Sequence, residues 1–210
     1  MNKESAAAEI DRVLTACVVS ARPVYLTLPT DLVYVKIPSG RLATSLPTFP
    51  PENEKDTEEF VLDEILALIK EAKEDAVILV DACSIRHHVL DETRELVERT
   101  GFPVYSAPMG KGAISEWSDR YGGVSSVGVP PILHSIDLVV QIYVGSLTHE
   151  EIKDKVEQAK LIISVGALKS DFNTGNFTYS IPTSRTVEVC ILYSPFPDYK
   201  YSPSHSATFR

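Results

Sequence analysis

The 210 residues are 44% hydrophobic and 23% charged, a balance that suits one soluble globular domain with flanking material. With 29 Asp and Glu against 20 Lys and Arg, the formal charge of −9 repels phosphate backbones and anionic lipid, so neither nucleic acid nor a membrane surface is an expected partner. No run approaches the roughly 18 apolar residues that cross a bilayer and the first residues lack a signal peptide's apolar stretch, so a cytosolic protein is expected.

In chain order, Ile10, Val13, Leu14, Cys17 and Val18 recur at spacings of three and four, which predicts one amphipathic helix over 6–19. Arg22-Pro-Val-Tyr-Leu-Thr-Leu-Pro29 is β-rich and bounded by prolines, and it predicts a short strand; Thr30-Asp-Leu-Val33 and Val35-Lys-Ile-Pro38 follow. From Ser39 to Asp56, Pro47, Pro50 and Pro51 fall in a stretch without apolar periodicity, the signature of a linker. Asp56 or Thr57 then fits a helix N-cap, with Glu58 and Glu59 in the first turn, where they complement the helix dipole. Phe60, Val61, Ile65, Leu68, Ile69 and Ala72 line one face of that helix.

Ala76-Val-Ile-Leu-Val80 is a continuous apolar run of the kind covered on both faces in a parallel sheet. Val89, Leu90, Thr93, Leu96 and Val97 predict a helix ending near Gly101, and Phe102-Pro-Val-Tyr-Ser106 predicts the next strand. Further on, 150–159 reads as a helix, 161–165 as a buried strand, and 186–193 as the last strand. This alternation predicts an α/β fold: a doubly wound, Rossmann-like parallel sheet with helices on both faces. The three cysteines, Cys17, Cys83 and Cys190, are distant and odd in number; they fit no zinc spacing and read as reduced thiols.

Three strings are more specific than periodicity. They are Asp81-Ala-Cys-Ser-Ile-Arg-His87, Pro108-Met-Gly-Lys-Gly-Ala-Ile114 leading to Arg120-Tyr-Gly-Gly-Val124, and Ser164-Val-Gly-Ala-Leu-Lys-Ser-Asp-Phe-Asn-Thr-Gly-Asn176. Together they resemble the central domain of the fungal pyruvate decarboxylases, which are thiamine diphosphate enzymes. The resemblance runs from about Ile10 to Val189. It implies a layout of four parts: 1–37 as the last piece of a pyrimidine-binding domain, 38–56 as linker, 57–189 as central domain, and 190–210 as a tail without counterpart. Where the family runs G-G-V-Y-V-G, Val124 is separated from Tyr143-Val-Gly145 by 125–142. A translated intron and a natural loop insertion are the two readings of that segment.

The resemblance implies non-oxidative decarboxylation of a 2-oxo acid, pyruvate to acetaldehyde and carbon dioxide, using thiamine diphosphate and Mg²⁺ in a homo-oligomer. The family's Gly-Asp-Gly motif, which holds the diphosphate and metal, does not occur in these residues. Its activating Glu lies in the N-terminal domain, ahead of the piece matched here. No catalytic, cofactor-binding or metal-binding residue is therefore assigned, and a fragment inactive alone is expected. A second reading is a structural or regulatory module that assembles with intact decarboxylase subunits. A third is a nucleotide-binding Rossmann-like domain built on Gly110-Lys-Gly112, although Ser115 stands where the fingerprint needs its third glycine.

One further expectation concerns the end of the strand 76–80. Cys83 follows it at the carboxyl edge, where open α/β sheets place ligands, and Arg86 three residues on favours a thiolate. The resemblance implies a regulatory pyruvate site comprising Cys83, Arg86 and His87; the other reading of Cys83 is a compact thiol without function. His87 and His88, adjacent at an expected helix start, point apart and suit exposed or capping roles.

Overall fold

The computed structural model describes residues 2–122, 142–190 and 206–207. Residues up to Glu52 fall in one compact unit and Asn53 to Cys190 in another.

In the first unit, the expected helix forms as α1, Ala6–Ser20. It ends on Ala21, whose φ of 47° is left-handed, and the N–H groups of Ala21 and Arg22 close the last turn on the Val18 and Cys17 carbonyls. The strand expected over 22–29 is absent: the residues form no regular element and pair with no strand among the described residues. A lone segment has no ladder to hold it, and here Val24, Tyr25, Leu26 and Leu28 all stand exposed. Single 3₁₀ turns follow at Thr30–Leu32 and Gly40–Ala43, and Arg41 bonds Asp11 at 2.8 Å.

The second unit begins with α2, Lys55–Ala72, whose start corrects the expected cap. Glu54 occupies the N-cap position and the Thr57 hydroxyl donates to its carboxylate, so Thr57 sits inside the first turn and does not cap it. Strand β1, Ala76–Val80, leads into α3, Ala82–Arg86, a five-residue helix too short to show a periodicity in the sequence. Helix α4, Leu90–Thr100, closes on Gly101 at φ 67°, whose N–H bonds the Val97 carbonyl as the glycine there anticipates. Strand β2 is Val104–Ser106, two residues shorter at its start than the expected run because Pro103 has no N–H for the ladder. Helix α5, Glu150–Gln158, then β3, Leu161–Val165, and β4, Thr186–Val189, complete the layer.

The sheet order is β2-β1-β3-β4, all parallel, with β5, Ser206–Ala207, beside β4. In register, Val80 lies beside Val165 and Val165 beside Val189. Alternate side chains go to opposite faces. Ile78, Val80, Val104, Ile163 and Val187 meet Ile69 and Ala72 of α2 and Leu96 and Val97 of α4 on one face. On the other, Val77, Leu79, Tyr105 and Ile162 meet Ile152 and Val156 of α5, with Tyr143. Helices on both faces of a parallel sheet confirm the doubly wound expectation. Both faces being buried explains why 76–80 reads as an unbroken apolar run and 161–165 as an apolar strand broken only by the buried Ser164.

Candidate functional site

The chain leaves β1 for β2 on one side of the sheet and leaves β3 for β4 on the other. The gap between the carboxyl ends of β1 and β3 is therefore the topological switch point, the place where open α/β sheets receive ligands. In this chain the gap is closed from within. Asp81, the first residue after β1, is 5% exposed. Its Oδ1 accepts the Ala82 N–H at 2.6 Å, and its Oδ2 accepts the Leu168 N–H and the Asn173 side-chain amide, each at 2.7 Å. Burial pushes the Asp81 carboxyl above its usual range, while these three donors and the Arg86 charge oppose the rise.

Asn173 completes the clasp. It is 2% exposed, its Nδ2 also reaches the Leu168 carbonyl at 2.8 Å, and its Oδ1 accepts the Met109 N–H at 2.9 Å. One side chain thus ties together the loops after β1, β2 and β3. Two glycines make the approach possible. A Cβ on Gly110 would lie 2.4 Å from the Val80 carbonyl oxygen, and one on Gly166 would lie 2.2 Å from the Ser84 nitrogen. The Gly110-Lys-Gly112 segment forms a 3₁₀ turn, Pro108–Gly110, with the Gly110 N–H on the Ala107 carbonyl and the Lys111 ammonium 3.7 Å from Glu116. No helix opens on these amides.

The three residues assigned to a regulatory site sit on one turn beside Asp81. Cys83 is the second residue of α3, half-buried, and its N–H bonds the Gly166 carbonyl at 2.9 Å. Arg86 is the last residue of α3 and half-buried, and its charge reaches Asp81. His87 closes α3, its N–H returning to the Cys83 carbonyl. The histidine pair therefore ends a helix, which corrects the expected helix start. His88 takes a left-handed φ of 58° because the chain must turn sharply between α3 and α4.

Cys190 was not expected at this edge, yet it follows β4 directly and is half-buried. Burial pushes its thiol up to about 11, with the negative charges of Glu188 and Cys83 adding and Lys169 opposing. Lys169 pairs with Glu188 at 2.9 Å. The sequence signal that locates Cys190 is its place immediately after a strand that borders β3.

At the opposite edge, a groove of about 680 Å³ is lined by Phe60, Ile65 and Leu68 of α2 with Leu161, Arg185 and Val187. Its two cations are already engaged: Arg185 donates to the carbonyls of Glu157, Gln158 and Ala159 at 2.8–2.9 Å, and Lys160 meets Asp75 at 3.4 Å. Among the described residues no three His, Cys, Asp or Glu side chains converge as metal ligands. Among them too, no helix is long and apolar enough to cross a membrane.

Compared with known proteins, residues 62–195 match the family described as thiamine pyrophosphate enzyme, central domain. Pyruvate decarboxylase isozyme 1 of Saccharomyces cerevisiae is 46% identical over 184 residues, which is 88% of this chain and 29% of the relative. Pyruvate decarboxylase of Kluyveromyces marxianus is 45% identical over the same shares. Pyruvate decarboxylase of Aspergillus terreus is 41% identical over 194 residues, 90% of this chain and 31% of that protein. The chain thus spans about three tenths of the length of the curated relatives it matches.

Proposed function

The chain belongs to the thiamine pyrophosphate enzymes, by way of their central domain, and from that premise we propose that these 210 residues are the scaffold layer of a pyruvate decarboxylase-like protein. On this reading they do not decarboxylate a 2-oxo acid by themselves. The observation that carries it is the disparity of coverage: 88% of the chain aligns with the yeast decarboxylase, of which that alignment is only 29%.

The whole enzymes would take pyruvate to acetaldehyde and carbon dioxide, with thiamine diphosphate supplying the carbanion that attacks the 2-oxo carbon and Mg²⁺ holding its diphosphate. The described residues do not fit that pair. A hard octahedral cation needs several oxygen ligands free to turn toward it. Asp81, the buried carboxylate among the described residues, already has both oxygens on Ala82, Leu168 and Asn173. No step of the reaction is therefore assigned to this chain. Its own residues hold the carboxyl edge rigid, and Cys83, Arg86 and His87 form the face of that edge at which a 2-oxo acid regulator would be read. What supports their joint role is that one turn of α3 carries all three beside Asp81.

The layout that goes with this reading is 1–37 as a piece of the pyrimidine-binding domain, 38–56 as linker, 57–189 as central domain and 190–210 as tail. The segment 125–142, read as intron or loop, lies outside the described residues except for Ile142, as does nearly all of the tail. A second reading, a module that joins intact decarboxylase subunits in the cytosol, is favoured by the first unit. There Tyr25 and Tyr34 are 89% and 93% exposed, in company with Val24, Leu26, Leu28 and Val33.

One experiment separates the two. Purified chain is given pyruvate, thiamine diphosphate and Mg²⁺ in a coupled acetaldehyde assay, then mixed with an intact fungal decarboxylase and sized. Neither product nor co-assembly supports the scaffold reading alone, and co-assembly adds the module. Acetaldehyde release by the chain itself overturns both.

A further inference from the structure

The two thiols at the carboxyl edge are joined by a short relay. Cys83 donates its N–H to the Gly166 carbonyl, and Gly166 donates its own to the carbonyl of Val189, the residue before Cys190, both at 2.9 Å. Since Val80, Val165 and Val189 lie abreast across β1, β3 and β4, the next rank is Asp81, Gly166 and Cys190, and Cys83 leans over its middle. A Cβ on Gly166 would come 2.8 Å from the Cys83 carbonyl carbon, so the bare glycine lets the Cys83 turn settle directly on the end of β3. Neighbouring strands are about 4.8 Å apart, so one spacing separates Cys190 from Gly166, and the hydrogen bond to Gly166 draws Cys83 inside the two spacings that part Asp81 from Cys190; a disulfide needs Cα atoms about 4.4–6.8 Å apart. Strand β4 ends at Val189, so Cys190 is the first residue beyond the ladder. Both thiols are half-buried and near enough for the charge of Cys83 to act on Cys190.

We propose that Cys83 and Cys190 are a redox pair, joined by an intrachain disulfide when the protein meets a peroxide. This stands apart from the decarboxylase reading, since nothing in it uses thiamine diphosphate or pyruvate. Cys83 acts first, because Arg86 on the same turn favours its thiolate. That thiolate attacks one oxygen of hydrogen peroxide; the O–O bond breaks, the leaving hydroxide takes a proton and departs as water, and Cys83 is left as a sulfenic acid. The sulfur of Cys190 then attacks the sulfenic sulfur as its thiol proton leaves. An S–S bond forms, the S–O bond breaks, and a second water departs. In sum, two thiols and one peroxide give one disulfide and two waters. Cys190, whose thiol burial holds protonated, resolves and does not initiate.

The test uses the full chain carrying Cys17→Ser, with the parent chain mapped alongside as a control for folding. Native protein is treated with equimolar hydrogen peroxide, alkylated under denaturing conditions, and digested with trypsin. The expected result is a monomer lighter by two hydrogen atoms, with the peptides 74–86 and 186–200 joined and separable by dithiothreitol. In a Cys190→Ser variant, Cys83 is instead trapped by dimedone as sulfenic acid. Two alkylatable thiols after treatment, an interchain dimer, or sulfinic acid without the joined peptides would each overturn the pairing.

Discussion

Replacing Gly166 with alanine tests whether the carboxyl edge is closed as tightly as its geometry implies. Gly166 has φ 72°, and a new Cβ would lie 2.2 Å from the Ser84 nitrogen and 2.8 Å from the Cys83 carbonyl carbon, both backbone atoms that cannot swing aside. A left-handed alanine costs about 1–2 kcal/mol, and forcing a methyl against fixed atoms adds about 1–3 kcal/mol. The expected loss is about 3 kcal/mol, a large share of an ordinary domain's stability. Gly112 supplies the control, for its φ is 86° but nothing lies within 4 Å of a Cβ there. Gly112→Ala should therefore lose only the conformational part, about 1–2 kcal/mol. Urea titrations followed by far-ultraviolet circular dichroism give both midpoints, with m-values unchanged. Equal midpoints for the two variants would refute the claim that α3 presses on the end of β3.

Asn173→Ala should cost about 2–4 kcal/mol, because it leaves Asp81, Leu168 and the Met109 N–H short of partners in a buried clasp; hydrogen exchange at Met109 should quicken with it. Arg185→Ala should cost about 1–2 kcal/mol by uncapping the end of α5, and Arg185→Lys should not restore it, since one ammonium cannot replace the guanidinium fork on three carbonyls. Cys190 should alkylate slowly near neutrality. Its thiol is pushed up from 9.0 to about 11, so the reactive thiolate is about 100-fold scarcer than for an ordinary thiol and its rate should climb as pH rises toward that value. An iodoacetamide rate at pH 8 matching that of a small peptide thiol would contradict the burial assigned to it.

The strands 76–80 and 161–165 were legible because burial on both faces demands short runs that are almost wholly apolar, and α4 was legible because Gly101 marks its end. The segment 22–29 misled for the complementary reason. Its composition is that of a strand, but strand formation depends on a neighbour, and no described residue offers one. Helix α3 escaped because five residues cannot display a helical period. The start of α2 escaped because Glu54, an uncommon cap, took the role expected of Asp56 or Thr57. At the edge, the strings around Asp81 and Asn173 were both visible, yet their union was not, since 92 residues separate them and only the sheet order brings them together. Cys190 was hidden in the same way: its nearness to Cys83 is a product of register across three strands.

The central claim is that this α/β layer fills its own ligand crevice and does not grip the coenzyme of its family. Calorimetric titration of the purified chain with thiamine diphosphate in the presence of Mg²⁺ tests it most directly. The account predicts no saturable heat; saturable, Mg²⁺-dependent binding that vanishes on chelation would contradict it.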